Sequence, residues 1–461
     1  MTASSPCAAR RWRISCFALA LMCAMPVAGA ASVFSQPDAD FKGRLWAKDV
    51  VVPGGKAVLE GFSFVPGQKI TLTRGQTVLN PKTPYQANEK GEFEASIDIP
   101  ADAAPGIHAI VVNASEPNAT ALHNLKISPV LPLSGADKFQ VDSQKLVPGL
   151  YQVVFSPANN ALYVTSAVGR PPVKASKLLK INPETLAIEA QVDALPVAGR
   201  DDGHLYAVYG VGVDEANGNV WTTNTRDNTV AVYRASDLKL VKQFEPGVLP
   251  HGRDIVVDTA RGKVFASGSG QIAVFDAKTL APLATIEPQS KVRGEDFAPA
   301  SLALDAANGK LYTVSMSTPE AAVIDTATGT VDRIIDIPGA RSAIGVAVNP
   351  QGQRLYVAAQ GSDNLLIVDL SDGKVLHDVK TGAGPLNVSY DAVSGLAYVA
   401  NRGAGSISVV DADGKIVANL DGGTYPNHLG TDGKGHVFVV NKSKGAEDPN
   451  GDHIRRVSPK R

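Results

Sequence analysis

The sequence predicts an all-β protein, a seven-bladed β-propeller preceded by a small immunoglobulin-like β-sandwich. Three observations carry that prediction. The stretch Leu355–Lys374 reads as strand, short polar turn, strand and Asp-Gly turn before Val375–Lys380 begins a further strand. Its period-two patterning and Gly/Asn/Asp/Ser turns are strand and hairpin signals. Its aromatic anchor then recurs as Tyr163, Trp221, Phe265, Tyr312, Tyr356, Tyr398 and Phe438, at intervals of 40 to 58 residues, the length of one four-stranded blade. Finally, residues 45–130 are equally strand-like but lack this period, so they form a separate unit.

Taken in order, residues 1–30 read as a secretory signal peptide. Arg10, Arg11 and Arg13 form its basic start, Ile14–Met25 its apolar run and Ala28–Ala30 its small-residue cleavage site, with cleavage expected after Ala30. The apolar run is short and broken by Pro26, which argues against a membrane span. Cys7, Cys16 and Cys23 all fall inside this segment, so the mature chain is expected to have no disulfide, thiol nucleophile or thiolate metal site. Removing the three arginines leaves 41 of the 44 basic residues against 45 acidic ones, a net charge of −4. That balance gives no global bias toward nucleic acid or anionic membrane. The expectation is a periplasmic protein with no membrane insertion of the mature chain.

Residues 41–130 carry turn signals at Gly54-Gly55, Pro66-Gly67, Asn88–Gly91 and Pro105-Gly106. Between them Ala57–Phe64, Lys69–Thr73, Phe93–Ile99 and Ile107–Asn113 are patterned as strands, which suggests the sandwich. Pro129–Ser134 reads as a linker. The propeller is expected over 137–458, with residues 138–147 supplying the missing strand of the last blade, because the final repeat ends after three strands. Closing the ring this way covers the edges an open sheet would expose.

Counting back from each anchor aligns the innermost strands. Nine residues before it stand Val154, Gly212, Val256, Ala303, Ala347, Ser389 and Leu429, mostly small where strands crowd one axis. Eleven before it stand Gln152, Gly210, Asp254, Ser301, Gly345, Asn387 and Asn427, at the strand entrances.

The anchors with their neighbours, Tyr163-Val-Thr-Ser, Trp221-Thr-Thr-Asn, Tyr398-Val-Ala-Asn and Phe438-Val-Val-Asn, resemble the Tyr-Val-Thr-Asn (YVTN) repeat. Asn364–Asp369, Ser406–Asp411 and Tyr425–His428 fit the same pattern. Residues 138–458 are similar to the YncE-type periplasmic propellers of bacteria. The resemblance implies a seven-bladed periplasmic binding protein with affinity for single-stranded DNA.

For chemistry, the face that carries the strand entrances is the default ligand site. Tyr151, Tyr206, Tyr209, His251, Arg253, Arg341, Asn387, Asn427 and His428 are the candidate ligand-binding residues, a mixture suited to a small anionic ligand. The same polar groups also satisfy backbone at strand ends and hold channel water. Arg170, Lys174, Arg226, Arg293 and Arg402 are candidate nucleic-acid contacts; with Tyr151, Tyr206, Tyr209 and Phe297 they offer phosphate pairing and base stacking. Asp201, Asp202, Glu295, Asp296, Glu447 and Asp448 interrupt that patch. The asparagines after the anchors (Asn224, Asn401, Asn441) and the aspartates that end the third strands (Asp276, Asp325, Asp369, Asp411) read as turn-capping groups.

Asp448–Asp452 lacks the glycine position and bidentate glutamate of a calcium loop. No Gly-x-Ser-x-Gly elbow, His-Glu-x-x-His helix or phosphate loop occurs. Neither catalytic residues nor a metal or other cofactor are expected. Three functions remain in play: a non-catalytic binding propeller, a metal-dependent enzyme of lactonase or lyase type assembled from His251, Asp254 or His428, and a scaffold for an envelope protein partner.

Overall fold

The computed structural model describes residues 41–460. The expected signal peptide, its expected cleavage site and the three cysteines lie outside the described residues. Among the described residues, no helix is long and apolar enough to cross a membrane.

Residues 44–127 form two antiparallel sheets. One has three strands, Arg44–Ala47, Lys56–Phe62 and Phe93–Asp98; the other is centred on Lys69–Arg74, Gly106–Ser115 and Ala119–Ile127. Alternation along Lys56–Phe62 buries Ala57 and Leu59, and along Lys69–Arg74 buries Ile70 and Leu72, into one shared core with Ile110 and Val112. Strands Arg44–Ala47 and Ala119–Ile127 add to those read from the sequence. The segment predicted as a linker is pinned: Ser134 bridges to Asn419, whose amide donates to the carbonyls of Leu131 and Pro132 at 3.0 and 3.2 Å.

Residues 139–459 form seven four-stranded antiparallel sheets in a propeller-like arrangement. Each inner strand packs beside the next: Leu150–Ser156, Val208–Asp214, Ile255–Asp258, Pro299–Asp305, Ala343–Asn349, Pro385–Asp391 and Pro426–Thr431, the last returning to the first. The core lies between blades. Hydrophobic clusters join neighbouring sheets, as where Leu355 and Val357 of the fifth blade meet Val314 and Val323 of the fourth. The anchors are the largest buried side chains, with Tyr163, Trp221, Phe265, Tyr356 and Tyr398 fully sealed. Burial of each such ring contributes about 1.5–3 kcal/mol.

The seventh sheet closes the ring. His453–Pro459 pairs with Phe139–Lys145, and the cross-strand neighbours Arg456 and Asp142 are joined by guanidinium bonds of 3.2 and 2.7 Å to one carboxylate oxygen. That hydrogen bonding holds the Asp142 carboxyl below its ordinary range.

The crowding at the axis has a direct measure. A Cβ on Gly210 would stand 2.5 Å from the carbonyl oxygen of Arg253, on Gly212 2.7 Å from that of Ile255, and on Gly345 2.6 Å from the Asn387 Cα. Glycine is required there because the next inner strand passes that close.

Blade seven departs from the sequence alignment. In the first blade Val154 pairs with Tyr163, and in the sixth Ser389 pairs with Tyr398, but in the seventh Gly430 pairs with Phe438. Its hairpin loop is one residue shorter, and loop length sets hairpin register. The seventh strand entrance is therefore His428 rather than Asn427, and Gly430 replaces Leu429 in the crowded row.

Candidate functional site

One backbone device builds the channel mouth. In six blades the pairing of the inner strand slips at its entrance, as between Leu150 and Val153, Val208 and Val211, or Pro385 and Asn387. A bulge of this kind re-aims the residues it leaves unpaired. Tyr151, Tyr209, Ile344, Leu386 and Asn427 occupy these bulges, and all five line a cup of about 230 Å³ at the mouth. His251, Arg253 and Arg226, from neighbouring loops, complete its wall.

Below the cup lies a second cavity of about 490 Å³ inside the ring, lined by the inner strands. Asp254, Asn387 and His428 border both spaces and form the waist between them. Their side chains stitch one blade to the next. Asp254 accepts the Leu302 N–H at 2.9 Å, Asn387 the Leu429 N–H at 3.1 Å, and His428 Nδ1 the Val153 N–H at 3.4 Å. Gln152 does the same for Val211 at 3.0 Å. Burial pushes the Asp254 carboxyl up to about 6, against the pull of its two backbone donors. Burial likewise pushes His428 down to about 4, so at neutral pH it is uncharged, with Nδ1 accepting and the proton on Nε2.

Around the rim cations predominate, with Asp452 as the opposing charge beside Lys442. The Tyr151 and Tyr209 rings lie 3.7 Å apart at 51°, and Arg226 Nε donates to the Tyr209 hydroxyl at 3.2 Å. The Lys442 ammonium sits 3.3 Å from the centroid of Tyr151. Arg402 donates to Asn427 Oδ1 at 2.7 Å, and the Asn427 amide donates to the Tyr151 carbonyl at 2.7 Å. Burial lowers the pKa of Arg253 and of Arg402. It brings Lys442 down to about 7, with repulsion from Arg402 and Arg226 adding to it. His251 is lowered by burial and by Arg253 and Arg226. The Tyr151 hydroxyl is raised by burial first and by Tyr209 next. Among the described residues, none of Arg226, Arg253, Arg402 and Lys442 has a carboxylate within salt-bridge distance.

Of the residues expected at the mouth, the structure brings Tyr151, Tyr209, His251, Arg253, Asn387, Asn427 and His428 into one cup, with Arg226 beside them and Arg402 behind Asn427. It does not bring Tyr206 there; that ring is buried with Ala194 and Val208. Arg341 is exposed outside the cup, its backbone N–H on Ser362 Oγ at 3.0 Å. Arg170 and Arg293 are exposed on separate loops, and the Lys174 ammonium is taken by the Asp202 carbonyl. Phe297 is buried between the third and fourth blades. The stacking rings expected for bases are thus reduced, since Tyr151 already faces Lys442 and Tyr209.

Among the capping groups, Asp276 accepts the Lys278 and Thr279 N–H groups as expected. Asn441 bonds the Asn450 carbonyl, whereas Asn401 instead bonds Ser406 and Ser408.

Lys442 stands outside the candidate residues drawn from the sequence. The signal was present: the position four after each anchor is Ala167, Thr225, Ser269, Met316 and Gln360 in five blades, then Arg402 and Lys442 in the last two. Two cations breaking a small or neutral column point to a local role. Among the described residues, no three His, Cys, Asp or Glu side chains gather as a metal site would need.

Fold and mouth together define a propeller with a cationic cup over a narrow waist. In sequence, the chain is 28% identical over 309 residues to Uncharacterized protein YncE of Salmonella typhi, covering 63% of this chain and 82% of that one. It is 26% identical over 311 residues to Uncharacterized protein YncE of Escherichia coli K12, with the same coverage. This similarity supports a propeller, β-rich architecture. No protein-family model matches the chain.

Among solved structures, the hydrazine synthase of Kuenenia stuttgartiensis superposes with a TM-score of 0.53 at 15% identity, over 64% of this chain and 93% of that one. A catalytically inactive virginiamycin B lyase from Staphylococcus aureus with Quinupristin gives 0.54 at 15%, over 69% and 99%. U3-55K gives 0.56 at 10%, over 70% and 99%. At these identities the likeness is one of fold alone.

Proposed function

We propose that the chain is a non-catalytic binding propeller of the bacterial periplasm, built on the YVTN repeat and carrying an immunoglobulin-like sandwich, whose mouth holds a small anionic ligand. One observation supports this reading above the others: Arg226 and Arg253 line the cup, Arg402 and Lys442 stand behind its wall on Asn427 and Tyr151, and among the described residues none of the four has a carboxylate within salt-bridge distance. Arg253, Arg402 and Lys442 are partly buried, and partly buried cations are costly unless paired. An anion in the cup supplies the missing partner, and guanidinium groups suit carboxylate or phosphate oxygens. The waist groups belong to the scaffold in this reading, because their acceptors are spent on backbone.

The test is calorimetric titration with inorganic phosphate and with citrate. Saturable binding is expected for at least one of them, weakened tenfold or more by Arg253→Ala and by Arg402→Ala. Equal affinity in wild type and both variants, or no binding of either probe, sinks the reading.

Single-stranded nucleic acid is the second reading, favoured by the same cations. It predicts fluorescence anisotropy changes with labelled oligonucleotides that weaken steeply with salt. The enzymatic alternative of lactonase or lyase type predicts a divalent metal retained stoichiometrically through dialysis.

A further inference from the structure

Away from the channel, the sandwich and the propeller enclose a groove of about 590 Å³. It is lined on one side by Trp46, Val50, His123 and Ser128 and on the other by Tyr425 and Lys444. The two walls are held together. Lys126 of the sandwich reaches the buried Asp363 carboxylate at 2.7 Å and the Gln360 carbonyl at 2.8 Å. Asp363 also accepts the Gly384 N–H at 2.7 Å, so it is fixed from its own side. The sandwich is therefore a wall of this space rather than a tethered appendage.

The lining is unusual in four independent ways. Trp46 is 69% exposed, whereas Trp221 is fully sealed in the blades. A large aromatic left open beside a cavity offers contact area at low entropic cost. Two polar atoms there, Ser128 Oγ and His123 Nε2, are buried without a hydrogen-bond partner, and Ser128 is 1% exposed. Such atoms are normally satisfied. Among the described residues, Lys444 has no carboxylate within salt-bridge distance; its ammonium lies 5.5 Å from the Tyr425 ring centroid, and Arg402 stands 4.8 Å from the same ring. Tyr425 itself is held at a φ of +49°, a left-handed conformation that side chains other than glycine avoid.

From this groove we infer that the chain has a second binding site, between sandwich and propeller, for a small aromatic anion. The ring lies against Trp46 and Tyr425, the anionic group meets Lys444, and polar substituents meet His123 and Ser128. Domain junctions are common places for pockets of this composition. The site is distinct from the cup at the channel mouth and does not depend on what that cup binds.

The probe is 1-anilinonaphthalene-8-sulfonate, an aromatic sulfonate whose emission rises when it leaves water. One saturable site is expected on the native chain. Trp46→Ala should abolish it and Lys444→Ala should weaken it about tenfold; both positions are at the surface of the groove, and an unchanged thermal melt verifies folding. Ser128→Ala, which removes the unpaired hydroxyl, should weaken binding of hydroxylated aromatic acids but not of the dye. The inference is overturned if dye affinity is the same in wild type, Trp46→Ala and Lys444→Ala, if no saturable site exists, or if Arg253→Ala in the cup abolishes dye binding as Trp46→Ala should.

Discussion

The ammonium of Lys442 lies 3.3 Å from the centroid of the Tyr151 ring, with Arg402, Asp452 and Arg226 as its charged neighbours. Attraction to the ring face stabilises the cation, while burial and the two guanidinium groups oppose it. Burial and the two guanidinium groups bring the pKa from 10.5 down to about 7, a larger effect than the ring's, which is at most about 2 kcal/mol. The mouth therefore carries a charge it holds at a cost.

That cost can be measured. Each unit of pKa displacement corresponds to about 1.4 kcal/mol, and the ring offsets up to about 2 kcal/mol of it. The remainder is about 3 kcal/mol. Below pH 7 the lysine is protonated folded and unfolded, so the cost is present in full. Between pH 7 and 10.5 the unfolded chain binds the proton and the folded chain does not, so stability recovers as pH rises. Lys442→Met should raise the unfolding free energy by about 3 kcal/mol at pH 6 and lose that advantage by pH 10. Urea denaturation at both pH values checks this, and an equal effect at both contradicts it.

Asp254 gives the opposite dependence. Its folded pKa of about 6 lies above the ordinary 3.8, so the native state binds more protons in that window and stability falls as pH rises through it. In Asp254→Asn the amide oxygen still accepts the Leu302 N–H, as Asn387 does for Leu429. The amide nitrogen then faces the Ile255 N–H, a cost of about 1–3 kcal/mol at every pH. Relative to wild type the variant should therefore gain about 3 kcal/mol between pH 4 and pH 7. Denaturation at pH 4, 5.5 and 7 reads this directly; a flat difference would assign the Asp254 shift to something other than its burial.

These two residues also mark the limit of what the chain discloses in linear form. The ring is legible because each blade repeats an aromatic anchor, and Gly210 and Gly345 stand where backbone passes within 3 Å of a would-be Cβ. The cup is legible in part, because strand entrances converge by topology whatever their side chains. The shift of His428 into the entrance position was hidden, since one residue fewer in a hairpin loop changes register without changing the motif. Tyr206 was misplaced for a similar reason. Its loop carries it into a small core with Ala194, a contact that no periodicity encodes.

The closing strand supplies the last prediction. Phe139–Lys145 lies some 300 residues from its partner His453–Pro459, so the ring closes only when both ends of the propeller have folded. Phe139 is buried against Tyr398, their ring centroids 6.3 Å apart. Losing that one side chain costs about 3–5 kcal/mol, and losing the strand also exposes the edge of His453–Pro459. A chain beginning at Pro129 keeps the strand and loses only the sandwich; one beginning at Gly149 loses both. The first should melt cooperatively near the full-length chain, while the second should unfold at least 10 °C lower or aggregate, by about the stability-to-temperature conversion for domains of this size. Equal melting of the two chains would mean that the seventh sheet is sound with three strands and that the pairing of Arg456 with Asp142 contributes nothing to closure.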